Sequence, residues 1–128
     1  MTPDRLEREL ELLKGSFEQV EYDQNGACVL LRNVPLLPGW DRTSIDVLVL
    51  IPTGYPATPP DNFFVPVGLK LISGQPPSNY SESQALIGSL WGQFSFHAQE
   101  WNPSAKVEEG DNLLTFLLLA RQRLAEVN

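Results

Sequence analysis

A chain of 128 residues is long enough for one hydrophobic core and too short for two independent ones, so residues 1–128 are expected to form a single domain. Its 42% hydrophobic and 20% charged residues are the make-up of a globular protein, and sixteen acidic side chains against nine basic ones, a net charge of −7, argue against tracking nucleic-acid phosphates, which needs clustered Lys and Arg. The single cysteine excludes an internal disulfide, the charged start Met1-Thr2-Pro3-Asp4-Arg5 lacks the apolar core of a signal peptide, and no apolar run approaches the roughly 20 residues that span a bilayer. The expectation is a cytoplasmic protein with no membrane contact.

The first element is a helix. Thr2 can cap it with Pro3 at the favoured first position, Leu6, Leu10 and Leu13 share one face, and Gly15 stops it. The opposite face carries Arg5, Glu7, Arg8, Glu9 and Glu11 and is expected to be exposed. Two strand-like runs follow, Ser16 to Tyr22 and Ala27 to Asn33, separated by Asp23-Gln24-Asn25-Gly26, whose Asn-Gly pair suits the positive φ angles of a tight hairpin. Cys28, between Ala27 and Val29, reads as a small buried apolar residue rather than a nucleophile. After the break at Pro35, Pro38 and Gly39, a third strand from Ser44 to Ile51 is apolar on both faces, the mark of a central strand covered on both sides.

The segment Ile51-Pro52-Thr53-Gly54-Tyr55-Pro56-Ala57-Thr58-Pro59-Pro60 leads to a fourth strand around Phe63 to Val65. Prolines fix φ and remove N–H donors, so this segment predicts a rigid bracket at the sheet edge, anchored by Tyr55. From Gly68 to Ser89 the chain is rich in Gly, Pro, Ser and Asn with little periodicity, and reads as a long loop covering a site. A last helix follows Gly110, capped by Asp111, with Leu113, Leu114, Leu117, Leu118 and Leu124 at helical spacing and Arg121 and Arg123 near the negative end of its dipole.

Zinc spacing, an EF-hand, HExxH and a GxxxxGK phosphate loop are all missing, so no metal and no cofactor is expected. What remains is the stretch Trp91 to Pro103, where Ser95 stands two residues from His97, the only histidine. On a helix the two would diverge; on a strand they share a face roughly 7 Å apart, and in a turn they can approach further. A serine hydroxyl is a weak nucleophile until a base takes its proton, and imidazole titrates in the range suited to that task. The competing reading is a structural histidine that hydrogen-bonds a backbone carbonyl within an aromatic cluster of Trp91, Phe94, Phe96 and Trp101. The residues alone leave both open.

An amphipathic helix, a four-stranded antiparallel meander, Tyr55-Pro56-Ala57-Thr58-Pro59-Pro60 ahead of the fourth strand, a long loop, Trp101-Asn102-Pro103 and a closing helix together resemble the ubiquitin-conjugating enzyme superfamily, an α+β fold. Phe94-Ser95-Phe96-His97 running into Trp101-Asn102-Pro103 and Asp111-Asn112-Leu113 resembles its bacterial branch, prokaryotic family E. The resemblance implies a transferase working beside a ubiquitin-like protein, a ThiF-type activating enzyme and a protease, in gene clusters suspected of antiphage defence. It implies supporting roles near the site for Tyr55, Pro56, Pro59, Pro60, Trp101, Asn102 and Pro103, and partner contact through Arg5, Arg8 and Glu9 on the first helix.

The departure lies at the decisive point. No cysteine precedes Trp101, the His-Pro-Asn signature is missing, and Cys28 lies in the wrong part of the fold. Two functions follow from the resemblance. In one, Ser95 carries the ubiquitin-like C-terminus as an oxyester with His97 as general base; Ser89 is the runner-up hydroxyl, ahead of Ser78, Ser81 and Ser83. In the other, the chain is an inactive adapter, similar to RWD domains, that binds a ubiquitin-like protein or its activating enzyme.

Overall fold

A computed structural model describes residues 1–128, the side chain of Ser83 excepted. Helix α1 (Pro3–Lys14) starts as the sequence predicts: the Thr2 hydroxyl accepts from the Arg5 N–H at 3.2 Å and Pro3 takes the first turn. The strands β1 (Gln19–Asp23), β2 (Cys28–Pro35), β3 (Ser44–Leu50), β4 (Asp61–Pro66), β5 (Tyr80–Leu86) and β6 (Ser89–His97) precede a short 3₁₀ turn (Val107–Glu109) and helix α2 (Leu113–Ala125).

These strands form one antiparallel six-stranded sheet in the order β1-β2-β3-β4-β6-β5, not a sheet of four. The stretch expected to be a loop from Gly68 to Ser89 contains β5, and the segment holding Ser95 and His97 is the strand between β4 and β5. Strand β5 reads Tyr80-Ser81-Glu82-Ser83-Gln84-Ala85-Leu86 and lies at the sheet edge, with no apolar pattern to announce it. Its partner β6 supplies the burial through Trp91 and Phe94.

Apolar strands on both faces predict two buried layers, and both are present. On one face Val29, Leu31, Val47, Val49, Phe63, Val65 and Phe94 pack with Leu13 of α1 and Phe116, Leu117 and Ala120 of α2. On the other, Cys28, Leu30, Leu48, Phe64 and Trp91 form a smaller cluster. The tip of the β5–β6 hairpin reaches across to it: a Cβ at Gly26 would lie 2.7 Å from Ile87 Cγ2. Gly26 thus sits close under the Ile87 side chain and not at a turn angle that needs glycine; the positive φ in the β1–β2 turn falls on Ala27, at 47°.

Two corrections concern the helices. Helix α2 is capped by Asn112, not Asp111: the Asn112 side chain accepts from the Thr115 N–H at 2.9 Å, and the Thr115 hydroxyl accepts from the Asn112 N–H at 3.0 Å. In α1, Glu9 and Arg5 are turned inward rather than presented to a partner, with side chains 0% and 10% exposed. The Glu9 carboxylate accepts from Tyr55 Oη at 2.7 Å, from the Leu113 N–H at 2.6 Å and from Arg5 Nε at 2.9 Å. Arg5 Nη1 in turn donates to the Ser104 carbonyl at 2.6 Å. Every donor on Glu9 comes from a different segment, which is how a carboxylate comes to occupy the helix's buried face. Arg8 alone of the three stays exposed, paired with Glu11 and Glu108.

Two stability predictions follow from this packing. Glu9→Ala leaves a buried guanidinium, a phenol and a backbone N–H without their acceptor, and urea unfolding should show a loss of about 3–5 kcal/mol, while Arg8→Ala stays close to the parent. Gly92→Ala places a Cβ 1.9 Å from Tyr80 Oη and 2.5 Å from a carbon of its ring. The same assay should show a cost of about 1–3 kcal/mol, which Tyr80→Phe does not relieve because the ring carbon remains.

Candidate functional site

Strand β6 alternates Phe94 and Phe96 toward the helices with Ser95 and His97 exposed. Phe96 is gripped edge-on by Phe63 and Phe116 at centroid distances of 5.5 and 5.7 Å, which sets the direction of its two neighbours. The extended backbone therefore gives Ser95 and His97 a common side, at a spacing of roughly 7 Å. Among the described residues no hydrogen bond joins them.

The His97 ring instead meets β4. His97 and Asp61 are register partners, and His97 Nδ1 is in close contact with Asp61 Oδ1. That pairing engages Nδ1 and leaves Nε2 as the free ring nitrogen. Both partners are largely exposed, 64% and 66%, so the contact has little effect on stability. Asp61 has no role in the sequence reading. Its signal is only its place directly after Pro59-Pro60, and its significance depends on the pairing of β4 with β6, two strands that are not adjacent in the chain.

The Pro-rich bracket is what delivers Asp61. The Tyr55–Pro56 peptide is cis, Tyr55 is buried against α1, Pro60 is buried, and the next residue opens β4. Burial, and after it the hydrogen bond to the Glu9 carboxylate, push the Tyr55 phenol well above its ordinary range, so it remains a donor at any physiological pH. Trp101 Nε1 donates to the Pro56 carbonyl at 2.7 Å, with its ring 6.2 Å from that of Tyr55. Asn102 exchanges two bonds with Asp111: its N–H donates to Oδ2 at 2.7 Å and its carbonyl accepts from the Asp111 N–H at 2.9 Å. Gly110 lies so close to this loop that a Cβ there would be 2.6 Å from the Asn102 carbonyl oxygen. Tyr55, Pro56, Trp101 and Asn102 are thus brought together with Pro59 half-buried beside Pro60, and Pro103 half-buried next to the approach of Gly110.

A groove of about 460 Å³ runs beside His97 between the end of β6 and α2, lined on one side by Phe96, His97 and Glu100 and on the other by Leu119, Gln122 and Arg123. The remaining hydroxyls lie elsewhere: Ser89 opens β6 at the end opposite His97, Ser78 and Ser81 flank the start of β5, and the side chain of Ser83 lies outside the described residues. Cys28 is fully buried, and burial first, then Asp23, raises its thiol above the usual range and depletes the thiolate. Among the described residues no three His, Cys, Asp or Glu side chains gather as a metal site would need, and no helix is long and apolar enough to cross a membrane.

Comparison with curated proteins and with solved structures finds no match. The profile of prokaryotic E2 family E, however, matches residues 3–127, which span both helices and all six strands. The chain belongs to prokaryotic E2 family E, and through it to the ubiquitin-conjugating-enzyme-like superfamily.

Proposed function

We propose that the protein takes a ubiquitin-like protein from a ThiF-type activating enzyme and passes it to an acceptor through an oxyester on Ser95. The observation that carries this reading is the Asp61–His97 pair, an oriented imidazole two residues from an exposed hydroxyl on the same side of β6. Ser95 Oγ attacks the thioester carbonyl of the incoming C-terminus; the C–O bond forms, the C–S bond breaks, and the hydroxyl proton passes to His97 Nε2 and from there to the departing thiolate of the activating enzyme. A direct hydrogen bond spans about 2.6–3.2 Å, so at the strand spacing the proton crosses one bridging water. An acceptor amine then attacks the ester, a C–N bond replaces the C–O bond, and His97 takes the proton the amine loses and delivers it to Oγ. An oxyester is a poorer acyl donor than a thioester, which places the burden of the second step on positioning. The partners implied by the family setting are a ubiquitin-like protein and its activating enzyme, with the reaction in the bacterial cytoplasm and a role in antiphage defence.

A second reading has one observation in its favour. Ser95 and His97 make no direct hydrogen bond, and an adapter that binds the ubiquitin-like protein or the activating enzyme has no need of one.

Incubation with the activating enzyme, ATP and the ubiquitin-like protein separates the two. The transferase gives a covalent adduct that survives thiol reductant and is cleaved by mild base; it disappears in Ser95→Ala, persists in Cys28→Ala, and forms roughly 100-fold more slowly in His97→Gln. An adduct lost to reductant or absent from Cys28→Ala contradicts the oxyester, and a stoichiometric complex with no covalent product supports the adapter.

A further inference from the structure

The end of β6 runs past the sheet. Strand β5 begins at Tyr80, opposite Phe94, so Ser95, Phe96 and His97 have no β5 partner in the ladder. Each is held by a contact of another kind. The Ser95 N–H donates to the Asn79 carbonyl at 2.8 Å, the Phe96 N–H donates to the side-chain Oδ1 of Asn62 at 2.9 Å, and the His97 ring meets Asp61.

The middle contact stands at a break in register. Phe63 pairs with Phe94 and Asp61 with His97, so β6 takes a longer step than β4 over the same interval, which is the signature of a bulge. A bulge removes a ladder hydrogen bond and turns the strand that carries it. Here the lost bond is replaced: Asn62 has φ 63°, a left-handed backbone that asparagine adopts far more readily than most residues, and its side chain supplies the acceptor for the Phe96 N–H. Asn79, which holds Ser95, is also left-handed, at φ 55°.

We propose that Asn62 is a positioning residue: by accepting from the Phe96 N–H across the bulge it sets the direction of the β6 terminus and so brings the His97 ring onto Asp61. Without that acceptor the Phe96 ring keeps its place between Phe63 and Phe116, but the backbone at the bulge loses its tie to β4, and His97, the last residue of the strand, can turn away from Asp61. The functional meaning of this hold rests on the oxyester reading above, but the hold itself does not.

His97 is the only histidine, so long-range ¹H–¹⁵N spectra report one ring without ambiguity. The neutral ring of the parent protein should carry its proton on Nδ1. Asn62→Gly keeps the freedom to adopt positive φ and loses the acceptor; it should give mixed His97 tautomers in a protein whose other amide signals stay dispersed. Asn62→Asp restores a side-chain acceptor and should restore the Nδ1–H form. Adduct formation on Ser95 should fall about tenfold in the glycine variant and recover in the aspartate variant. A folded Asn62→Gly protein with the parental tautomer overturns the proposal. Hydrogen exchange in the parent provides the arm that needs no variant: a protected Phe96 amide supports the hold, and one that exchanges as fast as an open loop overturns it. If the parent forms no adduct at all, the oxyester reading fails while the tautomer comparison still decides the role of Asn62.

Discussion

The carboxylate of Glu9 is the contact on which the arrangement of the site depends. It receives the Tyr55 phenol from the bracket, the Leu113 N–H from the start of α2 and the Arg5 guanidinium from its own helix, and Arg5 extends the connection to the Ser104 carbonyl. An isolated buried charge is costly, and this one is tolerated because its oxygens are occupied by well-placed donors. The consequence is geometric: α1, the Pro-rich bracket and the loop after Trp101 cannot shift independently. The bracket leads through Pro60 directly to Asp61, so a carboxylate buried in α1 helps place a carboxylate exposed beside His97.

The second constraint is the added hairpin. Strand β6 inserts between β4 and β5, which carries Ser95 and His97 to a protruding strand end and sets His97 opposite Asp61. Phe96 points the other way into the aromatic contact with Phe63 and Phe116, so core packing on one side dictates exposure on the other. Of the two readings left by the sequence, the structural histidine bonded to a backbone carbonyl in an aromatic cluster is not what the fold contains. Phe94 and Phe96 do pack together around Phe63, but Trp91 lies in the cluster on the other face of the sheet, Trp101 packs by Tyr55, and the histidine stands outside both and pairs with a carboxylate.

Much of the fold was legible in local pattern. The capped start of α1, the doubly apolar β3, the bracket anchored by Tyr55 and the leucine spacing of α2 each depend on residues near one another in the chain. What escaped depends on partners far away in sequence. Strand β5 is polar and lies at an edge, so only its pairing with β6 makes it a strand. Glu9 and Arg5 look like surface residues until Tyr55, Leu113 and Ser104 are brought to them. Asp61 and Asn62 gain their contacts from β6, across a pairing that no local motif encodes. The family resemblance rested on the bracket and on Trp101-Asn102-Pro103, which the fold joins through the Trp101 to Pro56 hydrogen bond.

The central claim is that Ser95 occupies the chemical place of a missing cysteine, and the location of the bond tests it most directly. Trypsin should release Leu71 to Lys106 as a single peptide, since no Lys or Arg lies between Lys70 and Lys106. Fragmentation of that peptide from the base-labile adduct should place the C-terminal remnant of the ubiquitin-like protein on Ser95. A remnant on another serine, or on Lys14, Lys70 or Lys106, would contradict the account.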